Sequence, residues 1–183
     1  MALSEQQKTL ALLYTQPQLR EEFLQDPRRM LQKLQHSEED IEVFMKASLP
    51  ELRRFAQSLF RKRYQCICKI LPLAKEILSE KFSREFCDFH TQFNPKGINK
   101  HYHDALAFIG VLIDKEASKT KRELLTYEKI WLEMYLSPKP FRVRLFTISL
   151  KKAVKDPHRL VRKLSLAVWY HKDHRTHLKI FGL

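Results

Sequence analysis

Cys87, His90, His101, His103 and Asp104 stand within eighteen positions of one another in CDFHTQFNPKGINKHYHDALAF, and each is a residue type that binds metal ions. Cys87 and His90 lie three apart, a spacing that a helix brings to one side, and zinc accepts thiolate and imidazole ligands. A Cys-x2-His followed after ten residues by His-x-His, however, matches no common finger spacing. The stretch reads instead as helix, turn and helix start. Phe86, Phe89 and Phe93 supply a core side, with Cys87 beside Phe86 read as core, and Asn94 to Gly97 form a turn by composition. His101 and His103 fall in the first turn of the next helix, where Asp104 favours the amide-rich N-terminus. No metal and no cofactor is expected.

Other chemistry is sparse. Cys66 and Cys68 are two apart and point to different sides of a helix, which argues against a redox pair. Nucleophile elbows, phosphate-binding loops, dinucleotide fingerprints and His-Glu-x-x-His are absent, so an enzyme acting alone is not expected. Arg63 falls on the same helical stripe as Leu59, Ile67 and Ile70. A buried guanidinium needs a partner, and a structural ion pair of Arg63 with Asp104 or Glu128 is expected.

The elements that position these residues are mostly short helices. Ser4 and Gln7 have capping-box spacing, and Leu10, Leu13 and Tyr14 follow at helical intervals, predicting a helix over about 5–14. Pro17 restarts it. Leu19, Phe23 and Leu24 mark a second helix ending near Asp26-Pro27, and Met30, Leu31 and Leu34 mark a third. Ser37 with Asp40 opens a fourth, carrying Ile41, Phe44 and Met45 on one face. Ser48, Pro50 and Glu51 start the longest, about 49–70, with Leu52, Phe55, Leu59, Cys66, Ile67 and Ile70 as its inward stripe. Pro72 breaks it. Leu73, Ile77 and Leu78 belong to a further helix, and Phe82, Phe86, Phe89 and Phe93 recur on the next. Ala105, Phe108, Ile109 and Leu112 mark another, and Leu124, Tyr127, Ile130, Trp131 and Met134 the last, over about 119–136.

Pro138 and Pro140 close the helical part, and the periodicity then changes to two. LSLAVWY (164–170) alternates Leu164, Leu166, Val168 and Tyr170 against Ser165, Ala167 and Trp169; RVRLFTISL (142–150) and THLKIF (176–181) are its partners, with His171 to Arg175 as a hairpin connection. The expected class is α+β: a multi-helix N-terminal domain followed by a small C-terminal antiparallel sheet. It divides into a segment of short helices (1–47), a helical core domain (48–137) and a basic β module packed on the helices (138–183).

Composition fits this reading. Three glycines in 183 residues leave few tight hairpins, and three cysteines are an odd set unsuited to a disulfide scaffold. No apolar run approaches the roughly twenty residues of a membrane helix, and the N-terminus lacks a signal-peptide pattern, so a reduced cytoplasmic protein with no membrane contact is expected. The net charge of +13 is graded along the chain: −2 over residues 1–50, +5 over 51–136 and +10 over 137–183. Two uses of the basic module follow. Arg142, Arg144, Trp169, Tyr170 and Lys179 could hold a peptide or partner protein, and Lys151, Lys152, Arg159, Arg162, Lys163 and Arg175 could track the phosphates of a nucleic acid, on which Trp169 or Tyr170 would stack.

The order of motifs is similar to that of one known family. A DPxxxL block is followed by LxxFAxxLxxKR, LPLAKEIL, an FxxxF pair, a histidine-rich link into DALAFIGVL, TYEKIWLEM, and the strands RVRLF and LSLAVWY. Carried by Asp26-Pro27, Phe55, Arg63, Leu71-Pro72, Phe82, Phe86, Asp104, Ala105, Phe108, Tyr127, Glu128 and Trp131, this series resembles the HvfC/MbnC-like accessory proteins from about residue 15 onward. The resemblance implies a helical domain and a small β domain in a protein that pairs with an iron-dependent TIM-barrel oxygenase acting on cysteines of a ribosomally made precursor peptide. The iron ligands would belong to that partner. Members of the family also carry a DNA-binding label. The sequence departs from the family in having Ser79 where a glycine is usual, and in its strongly basic tail.

Overall fold

The computed structural model describes residues 3–183 except 47, 94, 96, 138–140, 174 and 183, with only the backbone described at 3 and 4. The proposed turn at Asn94 to Gly97, the prolines 138 and 140, the cap at Ser4 and part of the 171–175 connection therefore lie wholly or partly outside the described residues. Among the described residues ten helices precede or interrupt a three-stranded antiparallel sheet, an α+β layout. Compactness divides the chain into 1–65 and 66–183. That division falls inside the longest helix, whereas the sequence reading placed its boundaries at 47/48 and 137/138.

The first unit contains α1 (Leu3–Thr15), α2 (Pro17–Gln25), α3 (Pro27–Lys33), α4 (Glu38–Met45) and most of α5 (Leu49–Ile70). Short helices cannot hold themselves in water, so each is fixed by its caps and its buried face. Asp26 accepts the amide of Arg29 at 3.1 Å, with Pro27 in the first turn, and the Ser37 hydroxyl accepts the amide of Asp40 at 3.2 Å. Leu13, Phe23, Met30, Leu31, Ile41, Phe44 and Leu52 form the core of this unit. Leu34, used to mark the third helix, is exposed at its C-cap, and two expected core positions differ. Met45 and Phe55 are about half exposed, and Phe55 covers the Tyr14 ring at 4.4 Å while Ala56 takes the buried place.

The second unit holds the end of α5, α6 (Pro72–Leu78), α7 (Glu80–Gln92), α8 (Lys100–Lys115), α9 (Lys119–Leu136), β1 (Phe141–Ile148), α10 (Leu150–Lys155), β2 (Arg162–Lys172) and β3 (Arg175–Gly182). The phenylalanine repeat of α7 explains its packing. Phe82, Phe86 and Phe89 are buried and surround Phe108 of α8, with ring centroids 5.2, 5.2 and 5.1 Å away. Strand β1 stops at Ile148 rather than running to 150. Ser149 and Leu150 turn into α10, and the buried Leu150 amide donates to the Ser165 hydroxyl at 3.2 Å.

Between α6 and α7 the backbone of Ser79 has φ +48° and ψ −119°, a region that side chains with a Cβ rarely adopt. This is the position where the resemblance leads one to look for glycine. Ser79→Gly is expected to raise unfolding free energy by roughly 1 kcal/mol, the relieved strain exceeding glycine's entropic cost. A urea denaturation series reads this as a higher midpoint at unchanged slope; an unchanged or lower midpoint would count against strain at this turn.

Candidate partner-binding surface

The sheet is ordered β1-β2-β3, so β2 is central and both outer strands have a free side. Cross-strand partners share a face. Arg142, Arg144 and Phe146 of β1 therefore lie on the same face as Trp169, Ala167 and Ser165 of β2 and Leu178 and Ile180 of β3. Helix α9 covers that face around β2. Trp169 is fully buried, its ring 5.8 Å from Tyr127 of α9 and 6.2 Å from Phe146, while the small Ser165 and Ala167 let the strand approach closely.

This placement corrects the role expected for Trp169. A fully buried indole cannot touch a peptide or stack on a base; it anchors the sheet. Arg142 is also occupied, paired with Glu133 of α9, which Lys129 approaches at 3.6 Å. Arg144 is exposed, its guanidinium 5.5 Å from the Phe146 ring. Tyr170 and Lys179 lie on the other, open face: Tyr170 stacks on His177 at 5.4 Å, and the Lys179 ammonium sits 5.9 Å over the Tyr170 ring.

The open face carries the more hydrophobic set. Its cross-strand rows are Leu145–Leu166–Phe181, Val143–Val168–Lys179 and Phe141–Tyr170–His177, followed by Lys172–Arg175. Phe141, Val143, Leu145 and Phe181 are 64%, 49%, 53% and 48% exposed. Period-two alternation revealed two faces here but not which one the helices cover, because both contain apolar residues.

Hydrogen bonding fixes the state of each edge. The Thr147 amide points away from β2 and donates to Glu123 at 2.7 Å, and its hydroxyl donates to the same carboxylate at 2.9 Å. Antiparallel strands alternate inward and outward amides. The pair Lys172–Arg175 closes a two-residue hairpin connection and is therefore hydrogen-bonded, which along the unbroken β2–β3 register makes His177, Lys179 and Phe181 the hydrogen-bonded partners of β2 and turns the amides of Thr176, Leu178 and Ile180 outward along β3. Among the described residues those outward amides meet no acceptor, whereas the β1 edge is partly capped by Glu123.

The basic residues weighed for nucleic acid, Lys151, Lys152, Arg159, Arg162, Lys163 and Arg175, are all exposed, on α10, the loop after it and the starts of β2 and β3. At the histidine-rich link, Cys87 is exposed rather than core, and the His90 Nδ1 lies 2.5 Å from its carbonyl oxygen. His101 and His103 are exposed in the first turn of α8. No group of three or more His, Cys, Asp or Glu side chains able to hold a metal occurs among the described residues.

Glu128 has a use that the sequence reading missed. Helix α6 starts at Leu71-Pro72 with no side-chain cap, and its Leu73 and Ala74 amides donate to the two Glu128 carboxylate oxygens, each at 2.8 Å. Burial pushes this carboxyl up to about 7, opposed by the two amide donors. A proline-led helix lacking Ser, Thr, Asp or Asn at its N-cap was the available signal, together with a glutamate among the apolar positions of α9. Arg63 is half-buried in the first unit, and Asp104 is fully buried on α8 in the second.

No known family model and no curated protein matches the chain. Among the described residues no helix is long and apolar enough to cross a membrane.

Proposed function

We propose that the protein is a non-enzymatic cytoplasmic adaptor that binds a partner protein and an extended peptide, the peptide adding as a fourth strand along β3. The outward amides of Thr176, Leu178 and Ile180 carry this reading, because an unpaired edge supplies main-chain hydrogen bonds to an incoming strand. Arg175 and Lys179 in the same strand favour an acidic peptide. The motif series resembling the HvfC/MbnC-like proteins supports a precursor peptide as that strand and an iron-dependent TIM-barrel oxygenase as the partner.

Binding of the proteins and peptides encoded beside this chain tests the reading. Leu178→Pro removes one outward amide while leaving the β2 ladder bonds, and is expected to abolish peptide binding with the melting transition retained. Lys151→Ala with Lys152→Ala is expected to leave binding within about a factor of two, because rim charges add little to a main-chain contact. Peptide binding that survives Leu178→Pro and fails in the lysine variant would contradict strand addition.

A second reading is favoured by the exposed basic residues of α10 and β2: nucleic-acid binding through Lys151, Lys152, Arg159, Arg162, Lys163 and Arg175. It predicts an affinity falling steeply with salt, by a slope set by the number of phosphates contacted.

A further inference from the structure

The open face of the sheet leaves Phe141, Val143, Leu145 and Phe181 exposed around the half-buried Leu166, Val168 and Tyr170, while its helix-facing side is built largely around Trp169, Ala167 and Ser165. An isolated domain gains nothing from placing Leu145, Leu166 and Phe181 on the uncovered side, and contiguous exposed apolar surface of this kind marks an interaction site. We propose that this face docks an amphipathic helix of a partner protein, with an apolar stripe along the rows and acidic side chains on its flanks.

Size selects the helix. Three strands at the usual spacing span about 10 Å, and a helix with its side chains is about 10–12 Å across, so one helix covers the face. Charge selects its flanks. The charged residues on the face are Lys179, Lys172 and Arg175, and the two acidic residues of 137–183, Asp156 and Asp173, lie after α10 and in the β2–β3 turn. A second copy of this chain would bring those cations against themselves. A lipid surface is the weaker match because the β2–β3 turn is charged and the apolar groups lie along the strands rather than at a protruding tip. The face is distinct from the outward amides of β3; Arg175 and Lys179 serve both readings, so Leu145→Glu on the far strand is the variant that separates this docking from strand addition.

The test uses a synthetic helical peptide with leucine on one face and glutamate on its flanks, compared with the same peptide carrying lysine for glutamate. The acidic peptide is expected to bind at least about tenfold more tightly, with amide chemical-shift changes centred on Val143, Leu145, Leu166 and Val168. Leu145→Glu is expected to weaken it about tenfold or more, and Lys179→Glu to weaken it while keeping every apolar contact. Both variants change exposed side chains, and an unchanged melting temperature establishes that they fold. Equal binding of the two peptides, no binding of either, or shifts confined to α10 would overturn the assignment. So would self-association abolished by Leu145→Glu, which makes the occupant a second copy, or capture by phosphatidylserine vesicles alone, which makes it a membrane.

Discussion

Trp169→Ala is expected to destabilise the protein by roughly 3–5 kcal/mol, a large fraction of the stability of a domain this size. The indole is fully buried between Tyr127 of α9 and Phe146 of β1, so truncation opens a cavity where the sheet meets the helices. Its Nε1–H has no acceptor among the described residues, so packing rather than a hydrogen bond holds it. Trp169→Phe should therefore recover much of the loss. On the opposite face, Val143→Ala should cost no more than about 1 kcal/mol, since half of that side chain is already in water. Equal destabilisation by Trp169→Ala and Val143→Ala would contradict the assignment of the two faces.

Glu128→Ala is expected to cost roughly 2–4 kcal/mol by leaving the Leu73 and Ala74 amides without their acceptor. The same carboxyl makes stability depend on pH. It titrates near 7 when folded against an ordinary value of 4.5, so the unfolded chain releases its proton first as pH rises. The contribution is complete below about pH 4.5 and is lost as pH rises through the folded value near 7. Glu128→Gln removes that proton, and the stability difference between wild type and variant should narrow between pH 4.5 and 7. Urea unfolding at pH 4.5, 6 and 8 checks it; a difference that widens over this interval would place the folded carboxyl below 4.5.

Helix existence was readable because caps and periodicity act locally. Asp26-Pro27, Ser37 and the start of α5 at Leu49-Pro50 stand at the ends of the helices they announce. The phenylalanines of α7 declared their core side by spacing alone. What failed depended on distant partners. Phe55 has the periodicity of a core residue but lies over Tyr14 at the surface, and β1 yields to α10 because Ser165 accepts the Leu150 amide.

The candidate site was legible as a module but not as a surface. Strand periodicity located β2, yet Trp169 and Tyr170 were grouped as contact residues although adjacent strand positions face opposite ways. Deciding between them required knowing which face α9 covers. Likewise the +10 charge of residues 137–183 revealed a basic region without distinguishing Arg142, engaged with Glu133, from the exposed Lys151 and Arg175. Glu128 stands in the sequence reading as the alternative to Asp104 for pairing with Arg63, and its bonds to the Leu73 and Ala74 amides join positions fifty-five and fifty-four residues apart, which local spacing does not reveal.

Strand addition makes a demand on individual amides that no other binding mode shares. Hydrogen exchange resolved by residue, with and without a bound acidic peptide in extended conformation, measures it directly. Slowed exchange is predicted at Thr176, Leu178 and Ile180, with little change at His177 and Lys179, whose amides already bond to β2. Exchange unchanged along β3 while peptide is bound, or protection confined to α10 and the start of β2, would contradict the account.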